Sequence, residues 1–357
     1  MQSFQPCYAR IGIISDDRVQ QHTLKTVLER LGFNVVLNAM PEKLSQDDSL
    51  YQSDLDLWLV DLFSEDEEHL DWLDQLLDAG KPVLLGAGKM PPQGDEEHPR
   101  WEKRLFSKLK GLLPENKLQV VSEQSLEQLQ QSFNAADIIP NAPEAGLKLP
   151  SEFEGIGAVD EPFICVLGAS LGGPEAVKEF LDYLPSGLPV AFVYAQHIDE
   201  RFEDVLIQTI GRHSEYSMVK AEADAKLKAG DILLASVGQE FKFTAESTLN
   251  MCGTPWPGPY GPSVDQVMLN VWQHFKHESL FLLFSGMGND GADACSLIAK
   301  QGGKVWAQES STCANSSMPD SAVETGYVSC IGNPHQLAVQ LIKELSVRWQ
   351  ARVGSVS

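Results

Sequence analysis

Short apolar runs alternate with helical patterns along two stretches of the chain, and a polar, proline-punctuated stretch separates them. In the first, RIGIIS (10–15) has the length and character of a buried strand. VQQHTLKTVLERLGF (19–33) follows, with Leu24, Val27, Leu28 and Leu31 at helical spacing and Gly32 as a stop. NVVLNA, LDLWLVDLF (55–63), HLDWLDQLLDAG and PVLLGAG continue as strand, strand, helix and strand. WEKRLFSKLKGLL (101–113) closes the stretch as an amphipathic helix. Strands that alternate with helices predict a parallel sheet. Between residues 114 and 160, Pro114, Pro140, Pro143 and Pro150 stand among Gln, Ser, Asn and Glu. This part reads as a linker, with SLEQLQQSF as one helix inside it.

The second patterned stretch opens with the strand PFICVLGAS, a Gly-rich turn and the helix PEAVKEFLDYL (174–184). VAFVYAQH (190–197) is a strand, and FEDVLIQTIGR a helix. KLKAGDILLAS and EFKFTAESTLNM together read as an inserted β-hairpin region. SVDQVMLNVWQHFK (263–276) is a helix with Ser263 as N-cap and Gln266 three residues on, a capping-box pattern. SLFLLFSGMGNDGADACSLIAKQG reads as strand, Gly-rich loop and helix, KVWAQES as a strand, and HQLAVQLIKELSVRW as a last helix. The expected fold is α/β, with two doubly wound parallel-sheet domains. A flavodoxin-type domain covers 1–113, the linker 114–160, a larger Rossmann-like domain with the β-hairpin insertion 161–346, and a tail 347–357. No internal repeat is found.

Composition narrows the partners. The 357 residues are 43% hydrophobic and 22% charged, which excludes a wholly disordered or fibrous chain. The net charge is -23, with 25 acids against 14 bases in residues 1–150 and 25 against 13 in the rest. Acidity spread over both halves repels phosphate backbones and anionic lipid, so neither nucleic acid nor a membrane surface is the expected main partner. Twelve acids and no Lys or Arg lie between Lys43 and Lys81, which reads as a solvated helix face. No apolar run nears the ~20 residues of a membrane span, and the N-terminus lacks a signal-peptide pattern. Six cysteines without a C-x-x-C pair fit reduced thiols in a cytoplasmic protein.

Candidate chemistry gathers at three strand ends. Gly168-Ala169-Ser170-Leu171-Gly172-Gly173, taken alone, is a phosphate cradle at a helix N-terminus, a turn carrying a nucleophilic serine, or a plain tight turn. His197 ends the next strand, and a lone histidine is more often structural. Gly286-Met287-Gly288-Asn289-Asp290-Gly291 leaves a later strand, and its aspartate can simply cap the following helix. The three together favour a different reading. A serine hydroxyl needs an imidazole to take its proton, and the imidazole needs a carboxylate to fix its tautomer. Ligands of open α/β sheets sit beyond the strand C-termini, where all three residues are expected. The dinucleotide reading also lacks an acid about 20 residues after the turn.

These residues lie within GASLGGPEA, VYAQHID, AGDILLAS, GPSVDQVM, FSGMGNDGADA and WAQESSTC…MP. With these six collinear blocks, residues 161–345 resemble the catalytic domain of the CheB-type protein-glutamate methylesterases of bacterial chemosensory systems. The resemblance implies Ser170 as nucleophile, His197 as base, Asp290 as orienting acid and Met287 as the active-site methionine. It implies hydrolysis of glutamyl γ-methyl esters on the cytoplasmic helices of a methyl-accepting chemoreceptor, with release of methanol, and glutamine deamidation as a second activity. The N–H groups of Leu171 and Met287 would hold the oxyanion, and no cofactor would be needed for catalysis. Two departures stand out. Leu171 replaces the family's usual Thr after the nucleophile, and Gly261 stands where a basic residue usually precedes the P-S-V-D block.

The same resemblance implies a receiver domain ahead of the esterase. Asp61 would then be the phosphoacceptor, Asp16 and Asp17 would bind Mg2+, and a sensor histidine kinase would be a partner. Parts of a receiver are missing: Gly86 stands where Ser or Thr is usual, and Lys103 lies in a helical pattern with no Lys-Pro strand. The expectation is a degenerate receiver, in a branch such as the systems that control type IV pilus motility. The competing readings are a catalytically silent signalling module and a dinucleotide-binding protein.

Overall fold

The computed structural model describes residues 9–46, 50–51, 54–62, 71–87, 98–113, 117, 146–155, 159, 161–213, 215–258 and 260–354. They fall into two compact units, one ending before Gly146 and one from Gly146 onward.

The first unit runs β1 (Arg10–Ile14), α1 (Arg18–Arg30), β2 (Asn34–Ala39), α2 (Pro41–Gln46), β3 (Leu57–Val60), α3 (Asp71–Asp78), β4 (Val83–Leu85) and α4 (His98–Leu112). The strands are parallel in the order β2-β1-β3-β4, the beginning of a flavodoxin-type sheet. The predicted helical stripe of α1 is the buried one: Leu24, Val27 and Leu28 face the core. Asp17 starts that helix by accepting the N–H of Gln20. The six-residue α2 is too short for its periodicity to show in the sequence. SLEQLQQSF lies outside the described residues.

The second unit begins with β5 (Phe163–Ala169), α5 (Gly173–Asp182), β6 (Val190–Gln196), α6 (Glu203–His213), β7 (Ser217–Lys220) and β8 (Asp231–Leu234). It continues with β9 (Phe241–Phe243), β10 (Leu249–Met251), α7 (Val264–Phe275), β11 (Ser279–Leu283) and α8 (Ala292–Ala299). It ends with β12 (Val305–Gln308), α9 (Ser317–Glu324), β13 (Cys330–Gly332) and α10 (Pro334–Gly354). Seven parallel strands lie in the order β13-β12-β11-β5-β6-β8-β7. The central strands are buried on both faces, which is why they read as continuous apolar runs. Phe163, Cys165 and Leu167 point into a core with α5, α6 and α10, while Ile164 and Val166 point into a second core with α7, α8 and α9.

Three expectations change. AGDILLAS is not part of the insertion, because Ile232–Leu234 pair in parallel with Phe192–Tyr194 as β8 of the main sheet. Among the described residues β9 and β10 form the antiparallel hairpin, and Lys226 joins it by a single bridge to Thr248. The expected linker ran to residue 160, yet from Gly146 on the chain packs on the second unit. Leu147 N–H donates to the Tyr183 carbonyl, and Phe153 is buried edge-on to Trp349. The expected tail is instead the end of α10, where Arg352 stacks its guanidinium 4.0 Å from the Phe163 ring centre.

Candidate active site

Beta-strand register brings the three predicted residues together. Ala169 pairs with Gln196 at the ends of β5 and β6, so Ser170 and His197 are the next residues on adjacent strands. His197 N–H donates to the Ala169 carbonyl at 3.0 Å. On the other side of β5, Leu283 of β11 pairs with Gly168, and Ser170 N–H donates to the Ser285 carbonyl at 3.0 Å. The Gly-rich loop after β11 therefore starts beside the serine. Its Asp290 carboxylate lies 2.8 Å (Oδ2) from His197 Nε2. The expected sheet positions of all three residues hold.

The Ser170 backbone is fully engaged. Its carbonyl accepts from Gly173 N–H at 3.0 Å and from the Gln196 side-chain amide at 2.7 Å. Its hydroxyl makes no hydrogen bond among the described residues, and neither do the N–H groups of Leu171 and Met287. An alcohol and two backbone donors thus stay available beyond the ends of the neighbouring strands β5 and β11. The first turn of α7 comes close because residue 168 is glycine: a Cβ there would lie 2.5 Å from Val264 Cγ1.

The carboxylate does more than touch the imidazole. Asp290 Oδ2 accepts the Val264 N–H at 2.7 Å and Oδ1 the Asp265 N–H at 2.8 Å, so it caps α7 alongside Ser263. Asp265 in turn accepts the Ala294 N–H at 2.7 Å and caps α8. Two helices thus exchange caps, each carboxylate serving the other's helix. Burial alone would push the Asp290 carboxyl up. The His197 hydrogen bond and the N–H groups of Asp265 and Val264 outweigh it and hold the group below its ordinary value. Asp265 goes the other way. Burial, with the neighbouring Asp290 charge, pushes it up to about 6 against the opposing Ala294 N–H.

Several supporting residues were assigned no supporting role from the sequence. Gln196 accepts the Tyr194 hydroxyl at 2.7 Å while its amide holds the carbonyls of Ser170 and His197. The Ser285 hydroxyl donates to the Leu171 carbonyl at 2.8 Å and accepts the Asn315 N–H at 3.0 Å, tying the serine turn to the 286–291 loop and the segment before α9. Tyr260 stacks on the His197 ring. Gly261, the departure noted in the sequence, backs onto the Val237 carbonyl, which a Cβ would approach to 2.5 Å.

The acids of the first unit meet a different fate. Asp61 is 1% exposed, and both its oxygens are taken by the chain: Oδ1 by the Ala87 N–H at 2.9 Å and Oδ2 by the Gln20 amide at 2.5 Å. Asp17 spends one oxygen on capping α1, and Asp16 is engaged as well. Mg2+ needs carboxylate oxygens in near-octahedral geometry. The Gln20 amide already sits on one of the oxygens it would take, so this arrangement does not fit the ion. No group of His, Cys, Asp and Glu among the described residues has the arrangement of a metal site.

Comparison with known proteins bears on the second unit. Residues 165–341 match the family model described as CheB methylesterase. A protein-glutamate methylesterase/protein-glutamine glutaminase of Burkholderia thailandensis is 33% identical over 191 residues, 54% of this chain and 56% of that protein. One of Anaeromyxobacter dehalogenans is 32% identical over 187 residues, 50% of this chain and 53% of its own length. The crystal structure of the Thermotoga maritima CheB methylesterase catalytic domain aligns with a TM-score of 0.49 and 25% identity, over 51% of this chain and 98% of that one. The chain spans about half the length of the curated relatives it matches.

Proposed function

Residues 165–341 belong to the CheB methylesterase family, and on that premise we propose that the protein hydrolyses glutamyl γ-methyl esters on the cytoplasmic helices of a methyl-accepting chemoreceptor. Ser170 Oγ attacks the ester carbonyl carbon while its proton passes to His197. Nε2 of that ring holds its proton against Asp290, so Nδ1 carries the accepting lone pair. The N–H groups of Leu171 and Met287 receive the oxyanion. The adduct collapses, the imidazolium returns the proton to the departing methoxide, and methanol leaves. Water, deprotonated by the same imidazole, then cleaves the acyl-serine to free glutamate. Each step draws on the chain's own groups and water. The same attack on a glutamine side chain would release ammonia, in keeping with the double name of the relatives.

The observation that carries this reading is the 2.8 Å His197–Asp290 pair beside a serine whose hydroxyl alone is unengaged. The cytoplasm is the proposed compartment. In support, no helix among the described residues is long and apolar enough to cross a membrane, and the five described cysteines are free. A sensor kinase acting through Asp61 forms no part of the proposal, given the contacts of that carboxylate. The test is methanol release from methylated receptor fragments. Wild type should release it and Ser170→Ala should not. Equal release by both would remove Ser170 from the chemistry, and no release by either would leave a docking module.

A further inference from the structure

Tyr260 lies flat against the His197 imidazole, with ring centres 4.6 Å apart and planes 14° from parallel. Nothing in the reaction above uses it. Asp290 holds the imidazole at a single edge atom, Nε2. An edge contact fixes one point of a ring and leaves its tilt to be set by what covers its face. The same phenol reaches the Gly-rich loop: its oxygen lies 3.4 Å from where a Cβ on Gly288 would stand. Tyr260 thus bridges the base and the loop that carries Met287 and Asp290.

The segment bearing Tyr260 is itself anchored. Gly261 presses on the Val237 carbonyl, and Ser263 accepts the Gln266 N–H at the start of α7. Tyr260 remains 40% exposed, so its burial is not that of a core residue. A large aromatic side chain left half in water, with one face on a histidine, is poorly explained by core packing alone.

We propose that Tyr260 is a positioning residue for the general base: its ring holds the His197 imidazole at the tilt that keeps Nε2 on Asp290 and Nδ1 free for the Ser170 proton. This rests on the methylesterase reading of the site. Stacked aromatic pairs have the strength to change a rate by roughly three- to tenfold.

The test uses the full chain and methanol release from methylated receptor fragments. Tyr260→Ala should lower kcat roughly three- to tenfold at unchanged KM, and Tyr260→Phe, which keeps the ring, should restore most of the rate. In a His197→Ala background the alanine change should cost nothing further, because the tyrosine acts through the histidine. In NMR spectra the ring protons of His197 should shift in Tyr260→Ala and stay in place in Tyr260→Phe. Wild-type kcat in Tyr260→Ala, a loss confined to KM, or an equal loss without His197 would each overturn the inference. The NMR arm does not depend on the reaction. Unmoved His197 signals defeat the stacking even if methanol is released, whereas shifted signals with no methanol from wild type defeat the methylesterase reading and, with it, the role as support for its base.

Discussion

Asp290→Asn changes one acceptor oxygen into a donor and leaves the shape of the side chain alone. In the native site Oδ2 serves both the Val264 N–H at 2.7 Å and the His197 ring at 2.8 Å, while Oδ1 serves the Asp265 N–H at 2.8 Å. An amide has one oxygen for these duties. If the oxygen stays on Asp265, the NH2 group faces the Val264 N–H and the imidazole. The imidazole then relieves the clash by moving its proton to Nδ1, the atom that must accept from Ser170. If the amide flips, the tautomer survives, but the NH2 group meets the Asp265 N–H and the imidazolium loses its counter-charge. Either way one buried N–H is orphaned, at about 1–3 kcal/mol. Part of this is returned because Asp265 loses the neighbouring charge that helps raise its pKa to about 6. The net loss of stability should be roughly 1 kcal/mol, read as a lower urea midpoint at unchanged slope. The loss of activity should be far larger, on the order of 10³–10⁴ in kcat, as for a serine triad with its carboxylate neutralised. Methanol release within tenfold of wild type would refute the assignment of Asp290 as the orienting acid. A fall in activity matched by a collapse of the fold would show that capping, not chemistry, was lost.

Three other outcomes follow from the same contacts. Asp265 titrates at about 6 in the fold against an ordinary 3.8, so the native state holds an extra proton between these values and stability falls as pH rises through them. The shift corresponds to about 3 kcal/mol, trimmed to roughly 1–2 by partial exposure. Asp265→Asn should therefore gain on wild type by that amount between pH 4 and about 6 in urea titrations, and parallel pH profiles would refute it. Gly168→Ala places a Cβ 2.5 Å from Val264 Cγ1 and 2.8 Å from Leu283 Cδ2. It should cost about 1–3 kcal/mol and lower the melting midpoint by about 2–4 °C for each, and an unchanged midpoint would show that α7 yields freely. Acetyl phosphate with Mg2+ should leave the intact mass of the chain unchanged, because Asp61 is held by Ala87 and Gln20. A phosphoryl adduct on the Asp61 peptide would show that the Gln20 amide is readily displaced.

What could be read from the sequence follows from where each element is buried. β5, β6 and β11 pack on both faces, so their apolar runs stand out, and the glycine turns after β5 and β11 pointed to Ser170 and Asp290. β7 escaped because SMVK is a largely exposed edge with no alternation to see. β8 was assigned to the insertion because a run such as DILL fits a hairpin and a central strand equally well until its neighbours are known. The supporting residues were illegible for a different reason. Asp265 matters because its carboxylate reaches Ala294, 29 residues on, and Tyr260 because it covers the histidine just beyond the end of β6. Neither contact leaves a local spacing. In the first unit, Gln20 read as one more polar residue on α1, and only the fold puts its amide on Asp61.

The exchange of caps between α7 and α8 explains how the carboxylate proposed to orient His197 can be held firmly without a dedicated scaffold. A helix start leaves backbone N–H groups without partners. At α7 those of Val264 and Asp265 are satisfied by Asp290, so the hydrogen bonds that begin the helix also fix the acid against His197. The acid must stay ionised to do both, and the same donors hold its pKa down. Asp265 bears the opposite consequence: drawn in to cap α8 beside a charge that cannot be given up, it is the member of the pair that takes a proton first. Mild acid should therefore neutralise the supporting carboxylate while the orienting one keeps its charge, and the pair should become more stable, not less, as Asp265 takes its proton.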